Sequence, residues 1–313
     1  MARMSDNKYR LITRADFDGV VSGGLLIELD MISEILFAEP KDMQDGKIAV
    51  TANDITTNLP YVEGVHLCFD HHLSETIRVG EKENLIIDPN KPSAARVVYE
   101  HFGGKEAFPN VSTELMEAVD KADSAAYSEE DILAPGPWTL LNFMLDPRTG
   151  LSRFAEFNIS NEQLMKDMMV YCRHHPVEEI LKIPDVEERL HVYEFNEEFA
   201  ELQIMRCATV HNKLVIVDLR NEEILYPGNR FTVYAAFPAC NISIQVLPHV
   251  TDSNLTVLAT GKSILNRTSK TNIGALMLEY GGGGHDAAGT CRVANADVDK
   301  VLKELIQRIN ADG

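Results

Sequence analysis

The chain has 313 residues, 45% of them hydrophobic, and a formal net charge of −19. The apolar content suffices for sizeable cores and excludes a globally disordered chain. The acid excess excludes broad electrostatic capture of nucleic acid, which needs cationic surfaces, but admits a phosphate-bearing substrate wherever metal ions, a few Arg or Lys residues, or backbone N–H groups supply local positive charge.

At about 150 residues per domain the length points to two domains. No apolar run is long enough to span a bilayer, and the opening "MARMSDNKYR" lacks the apolar core of a signal peptide. The five cysteines, Cys68, Cys172, Cys207, Cys240 and Cys291, are scattered without a CxxC pair. Free thiols in a reducing cytoplasm are expected, not a disulfide framework or a cysteine–zinc site.

In chain order, β-prone runs occur at 9–13, 33–38, 47–52, 64–69 and 84–88, with helix-compatible segments at 19–30, 92–102 and 112–126. Near-continuously apolar strands mixed with helices imply an α/β layer with a mainly parallel sheet flanked by helices. Residues 138–206 carry helical periodicity and dense Glu, with Pro184 just ahead of the last helix. Strand-like runs return at 212–219, 230–237, 241–247 and 254–261. A helix over 271–280, a glycine run, a short strand near 289–293 and a helix near 296–310 follow. The expected organisation is an N-terminal α/β domain over 1–185, a helical connector over 186–208, and a smaller C-terminal α/β domain with a mixed sheet over 209–313.

Three expected strands end on acids or imidazoles. Strand 9–13 runs into Asp16 and Asp18, strand 47–52 into Asp54, and strand 64–69 into Asp70, His71 and His72. The C-terminal edge of an open parallel sheet is where ligands bind. Each signal alone has a plainer reading. "DFDG" and "ND" are ordinary turn or cap sequences, and an adjacent histidine pair can lie in a surface loop, as "RHHP" at 173–176 is expected to. Together they describe converging carboxylates that repel each other unless a cation sits among them. Carboxylates with imidazole and no thiolate suit Mn²⁺ or Mg²⁺, with Zn²⁺, Co²⁺ or Fe²⁺ also compatible. A divalent pair about 3.5–4 Å apart can activate water and clamp phosphoryl oxygens.

"DFDGVVS" (16–22), "ND" (53–54) and "DHH" (70–72) resemble successive motifs of the DHH phosphoesterase superfamily, which includes RecJ-type exonucleases, nano-RNases acting also on phosphoadenosine phosphate, exopolyphosphatases and family II pyrophosphatases. "AVDKADSAAY" (118–127) resembles the fourth motif and offers Asp120 and Asp123, of which Asp123, four residues ahead of Tyr127, fits the spacing better. The resemblance implies Asp18, Asp54, His71 and Asp123 as ligands of one metal, and Asp16 with a bridging Asp54 as ligands of another. It implies His72 on the substrate phosphate and Asp70 orienting an imidazole. Many members carry a histidine four residues before the first acid, where this chain has Ile12, so both one-ion and two-ion centres stay open. Mn²⁺ is the expected ion.

"GGGGHDAAGT" (281–290) reads as a helix C-cap or tether, or as a backbone nest for an anion with His285 beside it. It also resembles the glycine-rich motif of the DHH-associated C-terminal domain, which implies substrate contacts from Gly282, Gly283, Gly284 and His285. "LNRTSKTNIG" (265–274) resembles the segment carrying a substrate-binding Arg, here Arg267, whose planar fork suits phosphate. Ser93 resembles a position near the site but also reads as part of a helix start, and Trp138 reads as a packing residue.

The expected function is metal-dependent hydrolysis of phosphodiester or phosphomonoester bonds in short oligonucleotides or small nucleotides, with phosphate held between the domains and no membrane partner. A homodimer is compatible with the sequence. The alternatives are a polyphosphate hydrolase and a catalytically weakened nucleotide-binding protein. An acidic chain without an added single-strand-binding module is a poor processive exonuclease on long DNA.

Overall fold

The computed structural model describes residues 8–313. The chain forms β1 (Tyr9–Thr13), α1 (Phe17–Glu28), β2 (Ile32–Phe37), α2 (Pro40–Gln44), β3 (Asp54–Thr57), β4 (Leu67–Asp70), α3 (Leu73–Val79), β5 (Leu85–Ile87), α4 (Ala94–His101) and α5 (Thr113–Asp123). Short helices α6 (Glu129–Leu133), α7 (Pro137–Leu145), α8 (Leu151–Phe154), α9 (Asn161–Tyr171) and α10 (Val177–Ile180) lead to the long α11 (Pro184–Cys207). The remainder is β6 (Ala208–His211), β7 (Leu214–Asp218), α12 (Thr232–Ala236), β8 (Ile242–Pro248), β9 (Leu255–Lys262), α13 (Ile273–Glu279), β10 (Gly283–His285), β11 (Ala288–Ala294) and α14 (Val298–Asp312). Among the described residues no helix is long and apolar enough to cross a membrane.

The chain divides into two compact units. The first comprises residues up to 126 with 135–147 and 155–191. The second comprises 127–134, 148–154 and 192 onward, so the division falls within α11 and two short excursions of the middle region join the second unit.

The first unit holds a five-stranded sheet, sheet A, in the order β2-β1-β3-β4-β5, with every neighbouring pair parallel. All its strands therefore point their C-terminal ends to one edge. Helix α1 packs on α4, α5 and α9, and glycines make the α9 contact close. A Cβ on Gly23 would stand 2.7 Å from Met169 Sδ, and one on Gly24 would stand 2.8 Å from Met169 O. Leu11, Val20, Leu25, Leu26, Met165 and Met169 are all buried.

The second unit holds a six-stranded mixed sheet in the order β10-β11-β9-β8-β7-β6, with β7 and β8 parallel and the other pairs antiparallel. Its core joins Leu214, Ile242, Ile244, Val246 and Leu258 to Val298, Val301, Leu302, Leu305 and Ile309 of α14. The helical residues fall at the spacing of one apolar face.

Two expected strands are not strands. Residues 230–237 contain the short helix α12, whose buried Thr232, Val233 and Tyr234 satisfy one face of a helix as readily as a strand. Residues 47–52 are irregular, and the strand begins at Asp54. That shift of a few residues moves Asp54 from the end of a strand to its beginning. The glycine run is no tether: Gly281, at φ 74°, closes the end of α13 with its N–H on Leu278 O at 3.0 Å, and Gly283 and Gly284 enter strand β10.

Candidate metal centre

The turn from β1 into α1 fixes two acids. Asp16 is the N-cap of α1, and its Oδ1 accepts from Gly19 N at 3.0 Å, the ordinary role of Asp at a helix start. Gly19 is required there, because a Cβ would lie 2.0 Å from Arg14 O. Asp18 in the first helical turn is 2% exposed. It is met by the N-terminus of α4, where Ala94 N donates to Oδ2 at 2.9 Å and Ala95 N to Oδ1 at 2.7 Å. Helix-start N–H groups favour an anion, and Ser93 caps the same helix by accepting from Arg96 N at 3.0 Å.

β4 ends on Asp70 and delivers His71 and His72 to the same edge of sheet A. His71 Nδ1 lies 3.2 Å from Lys91 O. Donation to that carbonyl assigns the proton to Nδ1 and leaves Nε2 for another role. Nε2 lies 2.8 Å from Asp123 Oδ2 at the end of α5, yet it makes no aligned hydrogen bond. Ligand atoms of Asp18, His71 and Asp123 all lie within 4.8 Å of one another. Their charges crowd one another in a way that a cation among them would relieve. Burial, and then the charge of Asp123, push the Asp18 carboxyl up to about 8. Burial opposes charging of His71, but Asp123, with Asp18 and Asp70, raises it to about 9. Burial would raise Asp123 too, yet His71 holds it below the usual carboxylate range. Two carboxylates and an imidazole, with no thiolate in the group, fit a divalent ion that prefers oxygen and nitrogen ligands.

Asp70 is 1% exposed. Its Oδ1 accepts from His71 N at 2.9 Å and lies 2.7 Å from His72 Nδ1. The imidazole it orients is thus that of His72, whose charging burial opposes and Asp70 favours, with a net upward shift.

Two expected ligands stand elsewhere. Asp54 opens β3, paired in register with Arg10, three residues before Thr57 at the strand's C-terminal end. At about 3.3 Å per residue it sits roughly 10 Å from the edge where the other acids gather. Its oxygens receive Arg10 Nε at 2.7 Å, an Arg10 terminal nitrogen at 3.0 Å and Thr51 N at 2.6 Å. Burial works against the charge of Asp54, but Arg10 and Thr51 outweigh it and hold the carboxyl low. Asp120 is bound by Arg96 Nε at 2.9 Å and Ser93 Oγ at 2.7 Å, so of the two α5 acids it is Asp123 that reaches His71. Ile12 is fully buried against Ala38, Met43 and Leu59.

The residue that does terminate β3 at the site edge is Asn58, which the sequence reading passed over. It is 2% exposed, adopts φ 55° and donates from Nδ2 to Asp16 Oδ1 at 3.3 Å. Arg14 was likewise missed, and its Nε lies 3.2 Å from Asp16 Oδ2. The available signal was the strand-end rule itself, since the residue after "DITT" is Asn58 once β3 is placed correctly.

In the second unit, Gly282 and Gly284 serve a tight hairpin. A Cβ on Gly282 would stand 2.0 Å from Thr290 O, one on Gly284 2.2 Å from Ala288 O, and one on Gly274 of α13 2.7 Å from the Gly284 carbonyl, whereas Gly283 faces open space. His285 closes β10 and is exposed, with its Nδ1 accepting from Ala287 N at 3.2 Å. Arg267 is exposed in the loop ahead of α13, with its Nε on Ile264 O at 3.0 Å.

No family model matches the chain, and no curated protein matches it. Among solved structures, PggH, the pGpG-specific phosphodiesterase from Vibrio cholerae, is 52% identical with a TM-score of 0.84, over 98% of this chain and 100% of that one. RecJ from Thermus thermophilus in complex with Mn²⁺ is 12% identical with a TM-score of 0.53. That match takes in 96% of this chain but 52% of RecJ, and it shows a shared fold. With acids and the Asp70–His71–His72 run gathered at one sheet edge, and a full-length phosphodiesterase relative at that identity, the chain belongs to the DHH phosphoesterase superfamily of metal-dependent phosphate-ester hydrolases.

Proposed function

We propose that this enzyme cleaves pGpG and similar very short oligonucleotides to mononucleotides, with Mn²⁺ as its working ion, in the cytoplasm. The observation that carries the substrate is the 52% identity to a pGpG-specific phosphodiesterase along the whole of both chains. The net charge of −19 supports a small substrate over a long polyanion, and the free cysteines support the compartment.

Asp18, His71 and Asp123 are assigned as the ligands of the ion. Bound there, a divalent cation supplies Lewis acidity for water and for a phosphoryl oxygen. The chain's own groups do the rest. Ala94 and Ala95 N–H groups fix both oxygens of Asp18, and Lys91 O fixes the His71 ring. Asp70 holds His72 by Nδ1, which presents Nε2 of a charge-favoured imidazole to a phosphate oxygen and places a proton near the departing one. In the second unit Arg267, Gly282, Gly283, Gly284 and His285 are assigned to the substrate phosphates, by a planar fork, N–H groups and an exposed imidazole.

The test is turnover of pGpG, a second dinucleotide such as pApA, and polyphosphate by the purified protein with Mn²⁺. Mononucleotide release from pGpG well above phosphate release from polyphosphate is expected. Preferential polyphosphate hydrolysis would refute the assignment.

A further inference from the structure

The second metal position that the family resemblance implied rests on Asp16 and a bridging Asp54, and neither is available in the form required. Asp54 lies at the opposite edge of sheet A in the grip of Arg10. Asp16 is present at the site edge, but Oδ1 accepts from Gly19 N and from Asn58 Nδ2, while Oδ2 faces Arg14 Nε at 3.2 Å. The strand end between Asp16 and the β4 terminus is occupied by Asn58, a neutral amide held by Asn58 N on Phe69 O at 3.0 Å. Its Oδ1 is buried without a hydrogen-bond partner.

We infer that this chain carries a single divalent ion, with the Arg14 guanidinium and the Asn58 amide standing where a second ion would need negative charge. The inference rests on the metal assignment proposed above and concerns what surrounds it. Asp18 and Asp123 together match one divalent cation. Asp16 is already matched by Arg14, and Asn58 adds no charge, so a second cation beside Asp16 would meet a guanidinium and a neutral amide instead of an anion pair. Like charges a few ångströms apart in a partly buried site repel far more strongly than in water. The same placement gives Arg14 a use. It keeps a fixed positive charge beside the cluster.

The experiment is the stoichiometry of Mn²⁺ on metal-stripped protein, by equilibrium dialysis with elemental analysis, together with the electron paramagnetic resonance spectrum of the bound ion. One Mn²⁺ per chain with the signal of an isolated ion is expected. Two ions per chain, or the broadened signal of a coupled pair, would overturn the inference, whereas no ion at all would instead overturn the metal assignment beneath it. The Arg14→Gln/Asn58→Asp double variant removes the guanidinium and adds a carboxylate, and is expected to take up a second Mn²⁺. A double variant that stays at one ion would overturn the role given to Arg14 and Asn58. Asn58→Asp alone, expected to gain a weaker second ion, repeats the test if the double variant does not fold.

Discussion

At the N-terminal edge of sheet A, Asp54 is buried and low in pKa because Arg10 lies on both its oxygens. At the C-terminal edge, burial and then the charge of Asp123 push the Asp18 carboxyl up to about 8. The two acids differ in their charged partners, a guanidinium for Asp54 and a second carboxylate for Asp18. A buried acid with a stoichiometric cation in the fold is a fastener. A buried acid crowded by a like charge, beside an imidazole nitrogen that lacks an aligned donor or acceptor, is a candidate for a counter-ion taken from solution.

The sharpest way to break this contrast is to neutralise one acid at each edge. Asp18→Asn or His71→Ala is expected to lower Mn²⁺-dependent turnover of pGpG by roughly a thousandfold or more, since a displaced Lewis acid forfeits several kcal/mol of transition-state stabilisation. Mn²⁺ uptake should be lost together with turnover. Asp54→Asn should act on stability instead. Removing one partner of a buried ion pair costs a few kcal/mol, here about 2 because the Arg10 side chain is 29% exposed. In a domain of this size that lowers the melting temperature by roughly 5 °C, with Mn²⁺ affinity unchanged. If Asp54→Asn instead abolished metal uptake at an unchanged melting temperature, the assignment of the two edges would be inverted.

A smaller effect is expected one layer out. Asp70→Asn keeps the shape but weakens the hold on His72, and outer carboxylates of this kind are worth about 10–100-fold. The loss should appear in kcat with Mn²⁺ stoichiometry intact. An equal loss on replacing the exposed His174, which pairs with Glu28 at 3.0 Å, would show that any surface histidine suffices and that the geometry is irrelevant.

The legibility of the fold followed the strength of the local pattern. Strands β1, β4, β8 and β9 and helices α1, α4, α5 and α14 lie close to where periodicity puts them, because their apolar patterns are strong and α1, α4 and α5 open on the caps Asp16, Ser93 and Ser112. β3 did not, since "KIAVTAND" offers the stronger β-propensity while the paired strand is "DITT", and pairing with β1 decides what propensity leaves open. That single displacement hid Asn58 and promoted Asp54. Arg14 was invisible for another reason: an Arg two residues before an acid is ordinary, and only the turn held by Gly19 brings its Nε to Asp16. The DHH run was readable because it ends a well-predicted strand, whereas the choice of Asp123 over Asp120 came from the family resemblance of its spacing to Tyr127.

The subtlest consequence of the contrast is its pH dependence. In metal-free protein Asp18 titrates near 8, well above its ordinary 3.8. The folded state therefore holds a proton that the unfolded chain releases, and stability falls as pH rises from about 4 to about 8. His71, raised from 6.5 to about 9, contributes stability that is full below 6.5 and lost as pH rises through 9. The two losses overlap between 6.5 and 8. A bound divalent ion requires both groups deprotonated, so it removes the penalty that pH imposes. The melting temperature with saturating Mn²⁺ minus that with chelator should accordingly widen by a few degrees from pH 6 to pH 8.5. Asp18→Asn, which cannot titrate, should flatten much of that slope, whereas Asp54→Asn at the opposite edge should leave it as in wild type. A gap that narrows with rising pH would show that the acids at the C-terminal edge are not the ones the cation meets.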